Sequence, residues 1–227
     1  RRVLVSGAGG SIGSEIVRQV LSFEPSRLVI LDHSEYNLYT IDQELKSFES
    51  YDEKIVPALV DVCDNSCLKD IFEKYRPEIV IHAAAYKHVH LVESNPYSSI
   101  LNNIQGTLQL LKLCEQFDVH SFVLVSTDKA VNPAGIMGAT KRICEILTTI
   151  TANKTGKVYC SVRFGNVLGS SGSLIPMLKK QIEHGQPLTI THKEITRYFM
   201  LIYEAVSLVL KAASISKPGD INVLRMG

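Results

Sequence analysis

The chain has 227 residues, 45% of them hydrophobic, which suffices to bury a full core in one large domain or in a domain with an appendage. Its 24 basic and 23 acidic residues leave a formal charge of +1 with the two signs interspersed, so no broad field draws in nucleic acid or an anionic membrane. No apolar run reaches the ~18 residues of a membrane span, and no signal peptide is visible.

The first element is the β-branched run Val3-Leu4-Val5, followed by Gly7-Ala8-Gly9-Gly10-Ser11-Ile12-Gly13 and an amphipathic helix with Ile16, Val17, Val20 and Leu21 on one face. Strand, glycine turn and helix together make an anion site: glycines let backbone N–H groups approach a pyrophosphate, and the helix N-terminus adds its positive end. Gly7, Gly10, Ser11, Ile12 and Gly13 are the candidate phosphate contacts, although the spacing is G-x-x-G-x-x-G and a merely tight turn would also explain it. Arg27 to Leu31 reads as a second strand ending at Asp32, at the distance expected for a carboxylate on the adenosine ribose. An acid there repels a 2′-phosphate and favours NAD. His33, beside Ser34, would tolerate NADP, and a turn acid is the plainer reading of Asp32.

Ile55 to Val60 predicts a third strand, delivering Asp61 and Val62 towards an adenine. Asn65 to Lys74 reads as a helix that stops before Pro77. Ile79-Val80-Ile81-His82 predicts a fourth strand running into Ala83-Ala84-Ala85, small residues that let a flat cofactor lie on backbone or a helix pack closely. Lys87 and the pair His88 and His90 follow on a loop. With no third ligand in sight, the histidines read as hydrogen-bonded or solvated, and no metal is expected. Tyr97 to Phe117 carries an apolar periodicity through Ile100, Ile104, Leu108, Leu111 and Leu113 suited to a helix lying on the sheet.

The buried run Phe122-Val123-Leu124-Val125 then presents Ser126-Thr127-Asp128-Lys129 at the carboxyl edge of the sheet, where open α/β sheets bind ligands. Met137-Gly138-Ala139-Thr140-Lys141 opens a helix expected over residues 139–150, and Val158 to Val162 predicts a sixth strand. The expected fold is α/β: a doubly wound parallel sheet over residues 1–169, with helices on both faces and right-handed crossovers. Residues 170–227 hold a helix at 174–183, short strands at 188–190 and 221–223, and a helix at 203–213. They read as a small, truncated lobe laid over the cofactor edge, with a substrate between lobe and sheet.

Taken together, Gly7-x-x-Gly10-x-x-Gly13, Asp61-Val62, the 82–87 stretch His-Ala-Ala-Ala-Tyr-Lys, Ser126 to Ala130, Met137 to Lys141 and the 163–169 stretch Arg-Phe-Gly-Asn-Val-Leu-Gly give a chain that resembles the extended short-chain dehydrogenase/reductases. More narrowly, it resembles the nucleotide-sugar 4,6-dehydratases of bacterial polysaccharide biosynthesis. Most of the superfamily has a tyrosine four residues before the lysine, where this chain has Met137. That departure resembles the long, membrane-anchored UDP-N-acetylglucosamine 4,6-dehydratases. The resemblance implies a Rossmann-type fold, NAD or NADP as cofactor, a UDP-sugar such as UDP-N-acetylglucosamine as substrate, and a homo-oligomer. It implies Lys129 as base at C5 and Asp128 as acid for the departing C6 hydroxyl, with Asp128 first taking the C4 hydroxyl proton. Lys129 would be kept neutral by burial and by the charge of Lys141. Lys141 would hold the nicotinamide ribose, Met137 would pack beside the nicotinamide, and Thr127 or Ser126 would bond the sugar near C4. Asn166 would read the substrate phosphate or sugar, and Thr191 and Arg197 would approach the uridine diphosphate, an ordinary surface arginine being the alternative for Arg197.

A C4 epimerase and a non-catalytic NAD-binding module are the competing readings. The chain begins at Arg1-Arg2 and enters a strand at once, so a longer parent is expected, with any anchor outside this stretch. Its five cysteines, odd in number and without a C-x-x-C pair, are expected as reduced, buried thiols in a cytoplasmic setting.

Overall fold

A computed structural model describes residues 1–48, 54–170, 174–188, 194 and 196–226. Strand β1 (Arg2–Ser6) leads into helix α1 (Ser11–Leu21), β2 (Arg27–Asp32) into α2 (Glu35–Leu45), and β3 (Ile55–Leu59) into α3 (Asn65–Tyr75). After β4 (Ile79–His82) come the short helices α4 (Val89–Ser94) and α5 (Pro96–Ser99), a π-helical turn (Ile100–Gln105) and α6 (Gly106–Gln116). Strand β5 (Ser121–Thr127) ends in a 3-10 turn (Asp128–Ala130) before α7 (Ile136–Thr155). Beyond β6 (Val158–Phe164) lie β7 (Asn166–Val167), α8 (Leu174–Glu183), β8 (Phe199–Met200), α9 (Ile202–Ile215) and β9 (Ile221–Val223).

The main sheet runs β3-β2-β1-β4-β5-β6-β9, with every pairing parallel. Because side chains alternate along a strand, Val3, Val5, Leu28, Ile30, Val123 and Val125 feed one core with α1, α2 and α9. Leu4, Val29, Leu31, Val80, Phe122 and Leu124 feed the other, against α3, α6 and α7. Burial on both faces is why these strands read as continuous apolar runs. From β1 the chain moves one way to β2 and returns on the other side at β4, so the carboxyl ends of β1 and β4 flank the crevice where such sheets take ligands.

Three expectations change. Helix α9 packs on α1 within the first core, and β9 pairs with β6 in register Ser161 to Ile221, so residues 202–223 complete the main sheet instead of forming a lobe over it. Apolar residues at 205, 206, 209 and 212 are fully or nearly fully buried there, which no free-standing lobe of this size would achieve. Second, the helix predicted over 97–117 contains the π-helical turn, whose extra residue rotates the preceding face by about 100°. Ile100 and Leu101 are therefore exposed, and Asn102, Asn103 and Thr107 are buried in their place. Third, Leu188 lies outside any strand, and the rest of the strand predicted at 188–190 lies outside the described residues.

Candidate functional site

The glycine turn between β1 and α1 is built for close approach. Gly7 adopts φ +68°, and a Cβ on it would lie 2.6 Å from the backbone nitrogen of Ala84 at the end of β4. Gly10 caps α1 with no side-chain acceptor, so the positive end of that helix is open to an anion. Asp32, 4% exposed at the end of β2, accepts the Gly9 N–H at 2.9 Å through one oxygen and the Ser34 N–H at 2.9 Å through the other. The carboxylate thus braces the glycine turn and keeps lone pairs that can accept further donors. His33 is exposed, with Nδ1 3.9 Å from Asp32, and Ser34 spends its hydroxyl capping α2 at Asn37. Along the edge, exposed Asp61 accepts the Cys63 N–H at 2.8 Å, Val62 is buried, and Ala83 continues the strand ladder to Ser6. Lys87 is exposed, and His88 and His90 stand with ring centroids 6.4 Å apart. Among the described residues no cluster suits a metal ion.

The 3-10 turn after β5 gathers the polar residues of the rim. Lys129 Nζ donates to Asp128 Oδ1 at 3.0 Å, and the Thr127 hydroxyl donates to the same oxygen at 2.8 Å. Partial burial pushes the Asp128 carboxyl up, but the hydrogen bonds from Lys129 and Thr127 outweigh it and hold the group below the usual range. Lys129 is not buried as expected: its side chain is 38% exposed and ion-paired. Ser126 is likewise not free to meet a sugar, because its hydroxyl donates at 2.6 Å to Glu145 inside the core. Thr127 remains half-buried at the rim.

Helix α7 brings Met137 and Lys141 to the same edge, both nearly buried. The backbone N–H of Met137 donates to Glu93 of α4 at 3.3 Å, which compensates for the absent side chain at the Gly135 cap. Lys141 makes no hydrogen bond or ion pair among the described residues, and burial lowers its pKa. Nearby His82 is fully buried and pushed down to about 3, by burial first and then by the charge of Lys141. Thr107 gives its hydroxyl proton to the Asn103 carbonyl, so it must accept from His82 Nε2, and Nδ1 accepts from Ser6.

A cleft of ≈ 400 Å³ opens beside this rim, lined by Asp128, Lys129, Arg163, Asn166, Arg197 and Met226 among others. The predicted residues Asp128, Lys129, Asn166 and Arg197 therefore meet, although Arg197 and Asn166 lie far along the chain from the turn. Thr191 lies outside the described residues. Sequence reasoning missed Asn103, whose amide clamps both backbone groups of Tyr86 and the Thr140 hydroxyl, tying the loop after β4 to α7. It also missed Glu145, an acid one helical turn beyond Lys141 and on the same face of α7, a spacing that was the available signal.

A doubly wound parallel sheet with an uncapped glycine turn at its switch point and a rim lysine on the following helix defines a Rossmann-type protein of the short-chain dehydrogenase/reductase class. The chain belongs to the polysaccharide biosynthesis protein family, whose model matches residues 3–227. It is 47% identical over 228 residues to the capsular polysaccharide biosynthesis protein CapD of Staphylococcus aureus, covering all of this chain and 38% of that one. It is 32% identical to a UDP-N-acetylglucosamine 4,6-dehydratase (inverting) of Campylobacter jejuni over 92% of this chain and 62% of that one. At the same 32% it matches a UDP-glucose 4-epimerase of Rickettsia bellii over 98% of this chain and 65% of that one. Among solved structures, Pen from Bacillus thuringiensis superposes with TM-score 0.93 at 33% identity, over all of this chain and 71% of that one.

Proposed function

We propose that the full-length protein is an NAD-dependent nucleotide-sugar 4,6-dehydratase that acts on UDP-N-acetylglucosamine or a close relative. The observation that carries this reading is the Asp128–Lys129 pair at 3.0 Å on the lip of the Asn166–Arg197 cleft, beside a helix that has Met137 where a phenolic base would stand. The residues suit a dinucleotide: Gly7 lets the turn close against the Ala83–Ala84 backbone, α1 offers an open N-terminus, and Lys141 is a buried cation with no hydrogen-bond partner among the described residues. Gly7, Gly10, Ser11, Ile12 and Gly13 would hold the pyrophosphate, Asp32 with His33 and Ser34 the adenosine ribose, and Asp61 and Val62 the adenine. Ala83, Ala84, Lys87 and Lys141 would line the nicotinamide half. Asp32, an acid only 4% exposed, favours NAD over a 2′-phosphorylated nucleotide. The dinucleotide, when bound, supplies the hydride acceptor for sugar C4 and the donor for C6.

Proton handling falls to the rim. Asp128 rests as a carboxylate, the form that accepts the C4 hydroxyl proton. Once protonated, it no longer holds the Lys129 ammonium, which passes a proton to solvent in the cleft and stands as the free amine needed at C5. Lys129 removes the C5 proton, acidified by the new C4 ketone, and Asp128 returns its proton to the departing C6 hydroxyl as water forms. Lys129 then gives a proton back to C5. Thr127 donates to Asp128 at rest and stands nearest to bond the sugar near C4. Arg197 and Asn166, which line the same cleft, suit the diphosphate.

Incubating the full-length protein with UDP-N-acetylglucosamine in heavy water tests the reading. A 4-keto-6-deoxy product carrying deuterium at C5 is expected. UDP-N-acetylgalactosamine would mark an epimerase instead, and no conversion of any UDP-sugar would leave a nucleotide-binding module.

A further inference from the structure

Glu145 of α7 is completely buried, yet nothing in the reaction described above uses it. Its two carboxylate oxygens accept four hydrogen bonds: Oε1 from the Ser126 hydroxyl at 2.6 Å and Arg163 Nε at 2.7 Å, Oε2 from an Arg163 terminal nitrogen at 2.7 Å and from Arg142 at 3.1 Å. Burial pushes this carboxyl up, and the donors, Arg163 foremost, more than reverse the effect, so it stays ionised. Each donor comes from a different place in the fold. Ser126 is the penultimate residue of β5, Arg163 is the residue paired with it in β6, and Arg142 lies on α7 itself.

The position of this cluster argues for more than cohesion. A buried ion pair contributes little net stability compared with apolar residues of the same volume, because desolvation offsets the attraction. What it does supply is direction, since a fork-shaped guanidinium meets a carboxylate in one geometry. Here that geometry sits directly behind the rim. Ser126 immediately precedes Thr127, whose hydroxyl bonds Asp128, and Arg163 lines the same cleft as Asp128 and Lys129. Lys141 lies one helical turn before Glu145. One carboxylate therefore fixes the β5 end that carries the acid and amine against the helix that carries the buried lysine.

We propose that Glu145 is a positioning residue: through Ser126 and Arg163 it sets where the Asp128–Lys129 pair stands relative to Lys141, and so how far the proton-handling groups stand from the nucleotide edge. The inference rests on the dehydratase reading for its catalytic consequence, but the placement of the turn is measurable without turnover.

The mild test is Ser126→Ala, which cuts the tether to β5 and leaves the Glu145–Arg163 pair in place. In the full-length protein with UDP-N-acetylglucosamine, kcat is expected to fall about tenfold, while KM and the affinity for NAD hold within about twofold. Glu145→Gln, which removes the charge, lowers kcat further and also lowers the thermal midpoint. A residue that merely stabilised the fold would lower the midpoint and leave kcat of the folded fraction alone. Independently of turnover, carbon-13 titration of the Asp128 carboxyl, assigned by its loss in Asp128→Asn, reports whether Lys129 and Thr127 still hold it. In Ser126→Ala it is expected to titrate higher than in the parent, closer to an ordinary carboxylate. An Asp128 titration unchanged by Ser126→Ala overturns the inference, as does an unchanged kcat in a parent that turns over. A parent without turnover sinks the dehydratase reading alone, and the titration still decides the role of Glu145.

Discussion

Replacing Gly13 by alanine separates the two demands made on the glycine turn, packing and ligand approach. A Cβ at Gly13 would drive into the Gly7 carbonyl, 2.7 Å from its carbon and 3.0 Å from Cα of Ala8, and all of these are backbone atoms with no rotamer to escape into. Carbon atoms in contact settle at about 3.5–4.0 Å, so α1 and the turn must part by about 1 Å. That movement strains the Gly10 N–H bond to the Gly7 carbonyl, now 3.1 Å, and lifts Ile16 and Val17 from the core they fill. Overpacking of about 1–3 kcal/mol and a lost turn bond of about 1 kcal/mol give a destabilisation of about 2–4 kcal/mol. Urea denaturation should show this as a midpoint lower by about 1–2 M at unchanged slope. Gly10→Ala is the matched control: its Cβ meets only the Gly7 oxygen, at 3.3 Å, so folding should lose far less than in Gly13→Ala while a methyl now stands where a pyrophosphate would approach. Its NAD affinity, measured by calorimetry, should fall at a midpoint well above that of Gly13→Ala. A Gly13→Ala protein that unfolds with the parent, or a Gly10→Ala protein that binds NAD as the parent does, would refute the argument.

Asp128→Asn and Lys129→Met should each reduce dehydration by about 10²–10⁴-fold with NAD binding retained, measured as product formation at saturating nucleotide. Lys141→Met removes a buried cation that makes no hydrogen bond among the described residues, so it should raise the denaturation midpoint of the nucleotide-free protein while weakening NAD binding, a trade seen when a site is held ready at the expense of stability. His82 titrates at about 3 when folded against 6.5 as a free group. Below about pH 6.5 the unfolded chain binds a proton that the folded one refuses, so stability falls with decreasing pH by about 1.4 kcal/mol per unit from this group. Denaturation curves between about pH 7 and 5 should show that slope, and His82→Asn should flatten it.

The alternation of strand and helix, the glycine turn, the acid closing β2 and the Ser-Thr-Asp-Lys stretch closing β5 were all legible in the linear order of residues. Each is specified locally, by an apolar run long enough to be buried on both faces and by turn residues that end it. The association of Asp128 and Lys129 with Asn166 and Arg197 came only from resemblance, and the cleft joins them in space. What local pattern did not reveal was every feature that depends on a distant partner. The run 221–223 reads as a short strand by itself, but not as part of the main sheet, which it enters because β6 offers an edge to pair with. Asn102 and Asn103 turn inward because a π-helical turn shifts the face, and Asn103 finds Tyr86 and Thr140 waiting there. Ser126 and Glu145 are ordinary polar residues until the packing of α7 on β5 and β6 brings a hydroxyl and a guanidinium each within 2.7 Å of one fully buried carboxylate. Hydrophobic period and turn chemistry are properties of neighbouring residues, whereas the pairing of buried polar groups exists only once the chain has closed around them.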